Sequence, residues 1–512
     1  MRLQNGFKWL VLAAMCLLKL VQSIDSTAVN LAVPVIATEF FASLTGMQWV
    51  INAFFILPAV VQIIGGRLGD SYGHKKIFLL NLFLLIISSL GAGISENENS
   101  LIIFRALQGI SIGIASPLTF VLICEAFSKE QQAFAISFFV ATFGIGQALG
   151  APLGGLFVHT IGWRWIFYIN IPIGIICYIL TKLYSPSKPA HKKPLCWTSA
   201  TLLLLALLAI TFSLNQVQNW GFVSVPFISI FSLGLFCIFF LYQYEKKQSH
   251  PLVEFSLFLH RNFSLNSALR VILQIIFLGL LFFIPLYLQN ISGISALFTG
   301  LLILIMTFTM SIISPPVGKW VNLKGSKLPN IFSMGFFLVG SIVFLFLQPQ
   351  PNFGILIAGL LCLGTATAIG FISTTHGALA DASKEKMGAA SGLFFTISWL
   401  SCAIGVSITG TIIGYQANRI ALPQLQSLHL SSYQIEQALH ASKGLTPVLS
   451  LKEKMPFFEN LQEICSSTFI QAIQMNVWIF LCLSATGLLL SFFLKHENKE
   501  ALKKIKKVTD PT

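Results

Sequence analysis

Long apolar stretches separated by short polar segments run along almost the whole chain. Fourteen of them have roughly the 20 residues that an α-helix needs to cross the hydrocarbon core of a bilayer. We therefore predict an all-α polytopic membrane protein with fourteen transmembrane spans. The predicted spans lie within 9–33, 47–66, 77–94, 101–126, 134–158, 165–183, 197–214, 225–244, 267–289, 298–317, 329–347, 353–376, 389–415 and 475–494.

Composition supports this class. The chain has 512 residues, of which 55% are hydrophobic and 10% are charged, whereas soluble domains carry about 25% charged residues. The net charge of +14 does not indicate a nucleic-acid partner, because the basic residues lie in loops between apolar runs and not on one folded face. The nine cysteines show neither a disulfide framework nor metal-ligand spacing, so we expect no metal and no cofactor.

The basic residues predict the orientation of the spans. Lysines and arginines are retained on the cytoplasmic side of a membrane. Most of the 32 fall on one side if both termini are cytoplasmic, including Lys75 and Lys76 after the second span and the lysines of the tail, 496–512. We therefore expect a multi-pass protein with both termini in the cytoplasm and an even number of spans.

A weak internal repeat divides the chain. Residues 66–76, after the second span, are Gly-rich and basic, and 318–327, after the tenth, are a degraded copy. Both would join the second and third spans of a six-span half. Parallel halves of this kind are a known transporter plan, with substrate bound near the midplane between them.

The predicted domains follow from this repeat: an N-terminal six-helix half (1–190), two inserted spans (191–250), a C-terminal six-helix half (251–495) and the basic tail. The segment 416–474 is predicted as one long external loop. Within it, 432–442 has a helical pattern, which favours an external hairpin or cap and leaves a flexible loop as the alternative.

Several motifs resemble those of one known family. Residues 66–76, GRLGDSYGHKK, look like the signature loop of the major facilitator superfamily. Further stretches are similar to the fourteen-span drug:proton antiporters of that superfamily, and these are Asp25, Thr27, Asn30 and Pro34 in span one, RALQG at 105–109, GWRWIFYINIP at 162–172, PLYLQ at 285–289 and GAASG at 388–392. The resemblance covers nearly the whole chain.

This resemblance implies the major facilitator fold, with two six-helix halves plus two inserted helices. It also implies multidrug efflux, in which small amphipathic compounds leave through a bacterial inner (plasma) membrane in exchange for protons, by alternating access. Similar proteins in double-membrane bacteria often work with a periplasmic adaptor and an outer-membrane channel, so the resemblance leaves such partners open.

The signature loop carries a candidate cytoplasmic gate. Gly66 and Gly73 allow close helix approach and a tight turn, and Asp70 beside Lys75 and Lys76 can form an ion-pair latch. The family usually has basic residues where Ser71 and His74 stand, which weakens the expected latch. The alternative is a basic turn with no gating role.

Span five carries GQALGAPLGG at 146–155, which resembles the motif associated with antiporters. The motif residues are Gly146, Gly150, Pro152, Gly154 and Gly155, and the proline stands one position later than in the family, where this chain has Ala151. Glycine and proline permit close packing and a kink inside a membrane. Simple tight packing is the alternative interpretation.

Asp25 is the one acid predicted to lie deep in a span, where a charge costs at least about 2.5 kcal/mol. Arg105 in span four lies at a compatible depth, so the two can pair. Burial and a nearby cation act in opposite directions on a carboxyl group, so making and breaking the pair can load and release a proton. The resemblance supports these roles for Asp25 and Arg105, and a static ion pair is the alternative.

Polar residues on span one share one broad arc at 100° per residue and are expected to face a cavity. The tentative substrate-binding residues are Lys19, Gln22, Ser26 and Asn30 from this arc, with Asn52, Gln62, Gln147 and Gln274 from other spans. Lys19 has three open interpretations: it pairs with Asp25, faces an anionic substrate, or snorkels inward. Arg270 is predicted to snorkel, with substrate contact as the alternative.

Rival functions remain. The chain has no Gly-x-x-x-x-Gly-Lys-Ser/Thr loop, so ATP does not drive transport from within it. A dedicated exporter of one metabolite, such as a siderophore, is the main alternative to multidrug efflux. A non-transporting membrane receptor is a further one, and an enzyme is not expected because no paired acid or His/Glu set appears within the spans.

Overall fold

The structure is a computed structural model in which residues 2–127, 129–183, 197–221, 223–248, 255–380, 387–452, 455 and 457–495 are described. Some side chains within these ranges, among them those of Arg67, Asp70 and Ser71, lie outside the described part. The basic tail, 496–512, also lies outside it.

Helices account for nearly all of the described residues, which contain no β-strand. Each predicted span falls on a helix, and the sixth span is divided between two helices. The helices are α1 (Arg2–Phe40), α2 (Leu44–Tyr72), α3 (His74–Gly93), α4 (Glu98–Ala126), α5 (Lys129–Thr160), α6 (Trp165–Tyr168), α7 (Asn170–Lys182), α8 (Trp197–Trp220), α9 (Val225–Glu245), α10 (Arg261–Leu286), α11 (Ala296–Lys324), α12 (Lys327–Phe344), α13 (Phe353–Leu379), α14 (Met387–Gln416), α15 (Leu422–Ser427), α16 (Ser432–Ser442) and α17 (Phe458–Phe492).

Thirteen helical stretches of the described chain are long and apolar enough to cross a membrane. The remaining predicted span, 134–158, lies within the 32-residue helix α5. Many side chains on the outer surface are large and apolar, for example Phe83, Phe239 and Leu489 at 61%, 54% and 63% exposure. This surface suits hydrocarbon and not water.

Helices α1 to α7 form one bundle, and α10 to α14 with α17 form a second. The hairpin α8–α9 packs through α8 against α2 of the first bundle and α14 of the second. The Thr411 hydroxyl donates to the Leu214 carbonyl at 2.9 Å, which ties α14 to α8. The inserted pair therefore covers the seam between the two bundles.

The two bundles touch mainly where α1 meets α10, α2 meets α14 and α5 meets α11, with a smaller contact between α1 and α11. We call the face that carries 416–474 the loop face, and the opposite one the terminal face. Near the loop face, the Gln289 amide donates to the Leu31 carbonyl at 3.0 Å. Near mid-depth, Ser311 donates to the Gly144 carbonyl at 3.2 Å. Side-chain contacts thus hold the bundles together over this half of the molecule.

The segment predicted as a long loop, 416–474, is largely helical. A π-helical turn, Ala417–Ala421, and then α15 continue directly from α14, and α17 begins seventeen residues before the predicted span. The helical pattern at 432–442 corresponds to α16, whose first turn has a capping box between Ser431 and Gln434. Because α14 and α17 extend into this segment from both ends, the connection between α15 and α17 is limited to 428–457, and α16 lies within it.

This connection forms an ordered cap on the loop face. Apolar side chains of α15, α16 and the segment that follows are buried against α17, and these include Leu425, Ala438, Leu445 and Val448. The Asn290 amide donates to the Gly444 carbonyl at 2.8 Å, and the Thr38 hydroxyl donates to the Leu445 carbonyl at 3.1 Å. The cap therefore contacts the first helix of both bundles.

The turn before the sixth span anchors α1. Gly162 has φ +97°, a conformation that favours glycine. The buried indole of Trp163 donates to Glu39 at 2.7 Å, and Arg164 pairs with the same carboxylate at 2.8 Å. The motif at 162–172 thus fastens the loop-face end of α1 to the start of α6.

Three glycines of α5, spaced four residues apart, let it pack closely on α1. A Cβ added at Gly146 would lie 2.7 Å from the Leu20 carbonyl oxygen, and one at Gly150 would lie 2.7 Å from the Ile24 carbonyl oxygen. At Gly154 the corresponding distance, to the Ala28 Cα, is also 2.7 Å. Small residues at such spacing allow helix backbones to approach within a membrane.

Gly155, one position on, meets the second bundle. A Cβ there would lie 2.5 Å from the Ala296 carbonyl oxygen and 3.0 Å from the Leu297 Cα of α11. Helix α5 is therefore wedged between α1 on one side and α11 on the other.

The close packing of α5 on α1 is tested by Gly150→Ala. The added methyl group would meet the backbone of α1, so we expect a loss of about 1–3 kcal/mol in stability, as for other overpacked sites. The measurement is the melting temperature of the purified protein. Gly144→Ala is the matched control, because the nearest atom to its Cβ is the Ser311 Oγ at 3.9 Å. Equal melting temperatures for the two variants would contradict the close contact.

The cap is expected to be sensitive to acid through His440. Burial, and secondarily Lys443, lower the pKa of His440, and Glu436 opposes them. A histidine with a lowered folded pKa stabilises the cap fully above its unfolded pKa of about 6.5, and this stabilisation is lost as the pH falls below that value. Amide exchange of α16, corrected for its intrinsic pH dependence, should therefore be faster on acidification. His440→Gln should remove the difference, and unchanged protection in the parent protein would contradict the expectation.

Candidate functional site

Asp25 and Arg105 form a buried ion pair inside the first bundle. Arg105 Nη1 donates to both carboxylate oxygens of Asp25, at 3.0 and 2.9 Å. The Asp25 side chain is 4% exposed and the Arg105 side chain is 1% exposed. The pairing expected from their depths is thus present, and it joins α1 to α4.

Further groups hold the guanidinium in place. Arg105 Nε donates to the Val50 carbonyl at 3.2 Å, and Nη1 donates to the Gln108 Oε1 at 2.9 Å. The guanidinium carbon lies 3.8 Å from the centre of the Phe54 ring. A cation over an aromatic face is attracted by the ring quadrupole. The sequence analysis did not identify these three partners.

The network continues away from the ion pair. The Gln108 amide donates to Ser89 Oγ at 2.9 Å, and Asn170 donates to the same hydroxyl oxygen at 3.2 Å. Since Ser89 belongs to α3 and Asn170 to α7, polar contacts connect Asp25 with four helices of the bundle beyond α1. A change in the charge of Asp25 would therefore act on hydrogen bonds that reach α2, α3, α4 and α7.

The polar arc of α1 faces α5. The Gln147 amide donates to Ser26 Oγ at 2.9 Å, and Asn30 donates to the Ser26 carbonyl at 3.0 Å. Buried polar atoms without a partner include Gln22 Nε2, Asn30 Oδ1 and Gln147 Oε1. Since a buried unpaired polar group is costly, this arc has capacity for a polar ligand.

Two of the tentative substrate residues lie elsewhere, at the seam between the bundles. Asn52 donates to Ser407 Oγ at 2.9 Å, and Gln62 donates to Thr396 Oγ1 at 3.0 Å. Both acceptors are on α14. The structure therefore separates Asn52 and Gln62 from the arc of α1, and it places them in contacts that cross from one bundle to the other.

Arg270 and Gln274 lie in the second bundle. Arg270 is 4% exposed, and its Nε donates to Ser398 Oγ at 2.9 Å. Gln274 donates to the same hydroxyl oxygen at 2.9 Å. The prediction that Arg270 snorkels is wrong, because α13 and α14 enclose its head group. Lys19, on α1, lies with its Nζ 4.8 Å from the centre of the Phe143 ring and not against Asp25.

The signature loop reverses the chain at Gly73, which has φ +97°. Its degraded copy does the same at Gly325, with φ +76° between α11 and α12. Lys75 donates to the Lys182 carbonyl at 2.9 Å. The side chain of Asp70, the expected latch acid, lies outside the described part, and no contact of Lys76 bears on the latch.

A hydrogen-bonded contact that the sequence analysis missed lies next to this turn. His74 Nδ1 and Glu125 Oε1 are 2.7 Å apart and join the start of α3 to the end of α4. The close backbone approach is made by Gly65, whose added Cβ would lie 2.6 Å from the Ile114 Cα of α4, whereas one at Gly66 would have only an ordinary contact with Pro117 at 3.6 Å. A search for charged pairs across the signature loop and span four could have found Glu125.

Inside the first bundle, one enclosed acid is paired with one enclosed cation, and Lys19 adds a further basic side chain. The second bundle contains a separate buried cation, Arg270. The described residues contain no cluster of His, Cys, Asp or Glu that could hold a metal ion.

Comparisons with known proteins agree with this class. The profile of the Major Facilitator Superfamily matches residues 15–406. The multidrug export protein EmrB of Haemophilus influenzae is 29% identical over 497 residues, covering 95% of each chain. The tetracenomycin C resistance and export protein of Streptomyces glaucescens is 26% identical over 80% of this chain and 76% of its own, and the riboflavin transporter RibZ of Clostridioides difficile is 26% identical over 84% and 92%.

Solved structures show the same fold at low sequence identity. An inward-facing bacterial homologue of the lysosomal transporter Spinster has a TM-score of 0.64 at 14% identity, with 95% of this chain and 98% of that one covered. The inward-open xylose transporter XylE of E. coli has a TM-score of 0.60 at 13% identity, with 97% and 99% covered. With two six-helix halves, an inserted pair of helices and a profile match over most of its length, the chain belongs to the Major Facilitator Superfamily of membrane transporters.

Proposed function

We propose that this protein is a proton-coupled antiporter that exports small amphipathic compounds, with Asp25 as the proton-carrying group. The observation that carries the proposal is the ion pair of Asp25 and Arg105, at 2.9 Å, with the two side chains only 4% and 1% exposed inside the first bundle. Ionisable groups inside membranes are expensive and commonly mark proton relays.

The proposed cycle uses competition between Arg105 and a proton for the same carboxylate. While the guanidinium is bound, Asp25 stays charged. When helix movement separates the two, the isolated carboxylate is costly in a low-dielectric surrounding and takes up a proton. Return of Arg105 expels that proton. Because Asp25 is on α1 and Arg105 is on α4, any change in the packing of these helices acts directly on the pair.

Helix α5 is proposed to carry this change to the second bundle. It packs closely against the segment of α1 that holds Asp25 through Gly146, Gly150 and Gly154, and against α11 through Gly155. Rocking of one bundle against the other would shift α5, and α1 with it. Side-chain contacts near the loop face support a state in which the two bundles are closed against each other there.

The proposed substrate-contacting groups are Lys19, Gln22, Ser26 and Asn30 on the arc of α1, Gln147 of α5, which faces the arc, and Gln274 of α10. Four of them have a buried polar atom without a partner, and these are Gln22, Asn30, Gln147 and Gln274. Asn52 and Gln62 are proposed to act in the seam with α14, where their amides break and reform contacts as the bundles rock. The signature loop, with Gly73 and the pair of His74 and Glu125, is proposed to act as the gate at the terminal face.

The relatives named for multidrug export and for tetracenomycin C export support efflux of amphipathic compounds. The relative named as a riboflavin transporter supports the alternative, a transporter dedicated to one metabolite. The proposed location is a bacterial inner membrane. Both termini are proposed to lie in the cytoplasm, because the distribution of basic residues favours that orientation. A periplasmic adaptor and an outer-membrane channel are proposed partners.

Asp25→Asn tests the proton-coupling role. In inverted vesicles with an acidic lumen, a substrate added outside should exchange for luminal protons, and a pH-sensitive dye should report their exit. Ethidium, 1-pyrenebutyrate and its neutral amide serve as probes of three charge classes. We expect the variant to give no more proton exit than empty vesicles, because the side-chain amide that replaces the Asp25 carboxylate cannot take up and release a proton.

Glu463→Gln is the matched control, since it removes an exposed carboxylate from α17, and it should keep the full signal. Equal proton exit with Asp25→Asn and with the unchanged protein would remove Asp25 from the mechanism. No proton exit with any probe in the unchanged protein would favour a dedicated metabolite exporter.

A further inference from the structure

Arg270 is a buried cation whose charge is not neutralised by the protein. Within the described part of the chain, no Asp or Glu oxygen lies within 4.0 Å of its guanidinium. Its hydrogen bonds go to neutral oxygens, which are Ser398 Oγ at 2.9 Å, the Phe371 carbonyl at 3.2 Å and Thr374 Oγ1 at 3.4 Å.

The contrast with Arg105 is informative. Both arginines are nearly inaccessible, at 1% and 4% exposure, but only Arg105 has a carboxylate partner. An arginine in the middle of a membrane helix costs at least about 2.5 kcal/mol, and an unpaired one gains no ion pair to offset this cost. A charge kept at such a cost without a protein partner points to a partner that arrives from outside.

The site has unused hydrogen-bonding capacity of the right kind. The bonds of Arg270 use Nε and Nη1, and Nη2 makes none with the described residues. Ser398 accepts from both Arg270 and Gln274. The neighbouring Gln274 Oε1 is also buried without a partner, but it is an acceptor and would face a donor group of the ligand and not its acid. Donors therefore exceed charged acceptors here, which suits a carboxylate and disfavours a cation.

Aromatic rings flank the cation. The guanidinium carbon lies 4.0 Å from the centre of the Phe371 ring and 5.4 Å from that of Phe394. The Phe277 ring meets Phe371 edge to face, with 6.0 Å between centres. A planar apolar body attached to an acidic group would therefore meet rings where its acid meets Arg270.

The first bundle adds a second positive charge at a similar depth. Lys19 lies eleven residues after Lys8 on α1, and Arg270 lies nine residues after Arg261 on α10, so both are roughly 15 Å along their helices from the terminal face. No described carboxylate oxygen lies within 4.0 Å of Lys19. With Asp25 already held by Arg105, the deep charges Lys19 and Arg270 remain in excess.

We propose that Arg270 binds the acidic group of the transported compound, so that the substrates of this protein are amphipathic aromatic anions, typified by aromatic carboxylates, and not lipophilic cations. This inference rests on the proposed export of amphipathic compounds and names the class among them. Lys19 is positioned to favour the same negative charge from the other bundle.

The test compares three ligands with one apolar body: 1-pyrenebutyrate, the neutral 1-pyrenebutanamide and the cationic 4-(1-pyrenyl)butylamine. Equilibrium binding to the purified full-length protein is measured by pyrene fluorescence without a proton gradient. We expect the carboxylate to bind about tenfold or more tightly than the amide, as a charge-assisted hydrogen bond would give, and the amine to bind most weakly.

Arg270→Gln should weaken binding of the carboxylate by about tenfold or more and leave the amide unchanged. Arg270→Lys keeps the charge and should retain part of the preference. Arg419→Gln removes an exposed arginine at the loop face and serves as the matched control, with binding like that of the unchanged protein. The melting temperature of Arg270→Gln should not fall, because an uncompensated buried charge is removed.

The proposal is overturned if the unchanged protein does not bind the carboxylate, or binds all three ligands equally. It is also overturned if Arg270→Gln weakens the three ligands alike or lowers the melting temperature, since a purely structural arginine would do so. The proton-exit assay on the unchanged protein separates the two proposals. Carboxylate preference in binding, together with no proton exit for any probe, would remove the antiport mechanism and leave the anion site standing.

Discussion

A charge inside a lipid-embedded bundle is costly unless a partner charge or hydrogen bonds stabilise it where it lies. In the first bundle this constraint is met by the pair of Asp25 and Arg105, with both partners almost fully enclosed. The pair defines the packing around it, since Val50, Phe54 and Gln108 all contact the guanidinium. The proposed proton coupling acts by disturbing this contact.

The glycines of α5 couple the packing of α1, which carries Asp25, to the second bundle. Helices with large side chains at their contact would slide past one another with little effect on a pair inside one bundle. Here the backbone of α5 lies directly against α1 around Gly150 and against α11 at Gly155. Backbone contacts on both sides of one helix leave little room for independent movement of α1, α5 and α11.

The two bundles differ in how they satisfy the same constraint. Arg105 has an acid from its own bundle, and the Arg270 guanidinium is held only by neutral oxygens and aromatic rings. Separate sites for the proton and for the substrate's charge would allow each bundle to sense one ligand. The hairpin α8–α9 and the cap around α16 lie over the seam between bundles, where they limit how far the halves can part.

The hydropathy pattern alone determined the number and approximate position of the spans, because the thickness of the hydrocarbon core fixes how many apolar residues a span needs. It also gave the depths of Asp25 and Arg105, from which their pairing could be expected. Depth along a helix says nothing about which helix lies alongside, and that depends on packing between distant segments. Only the tertiary structure therefore decided that Asn52 and Gln62 cross to α14, that Glu125 meets His74, that 416–474 folds into a cap, and that Arg270 is enclosed without an acid instead of reaching the membrane surface.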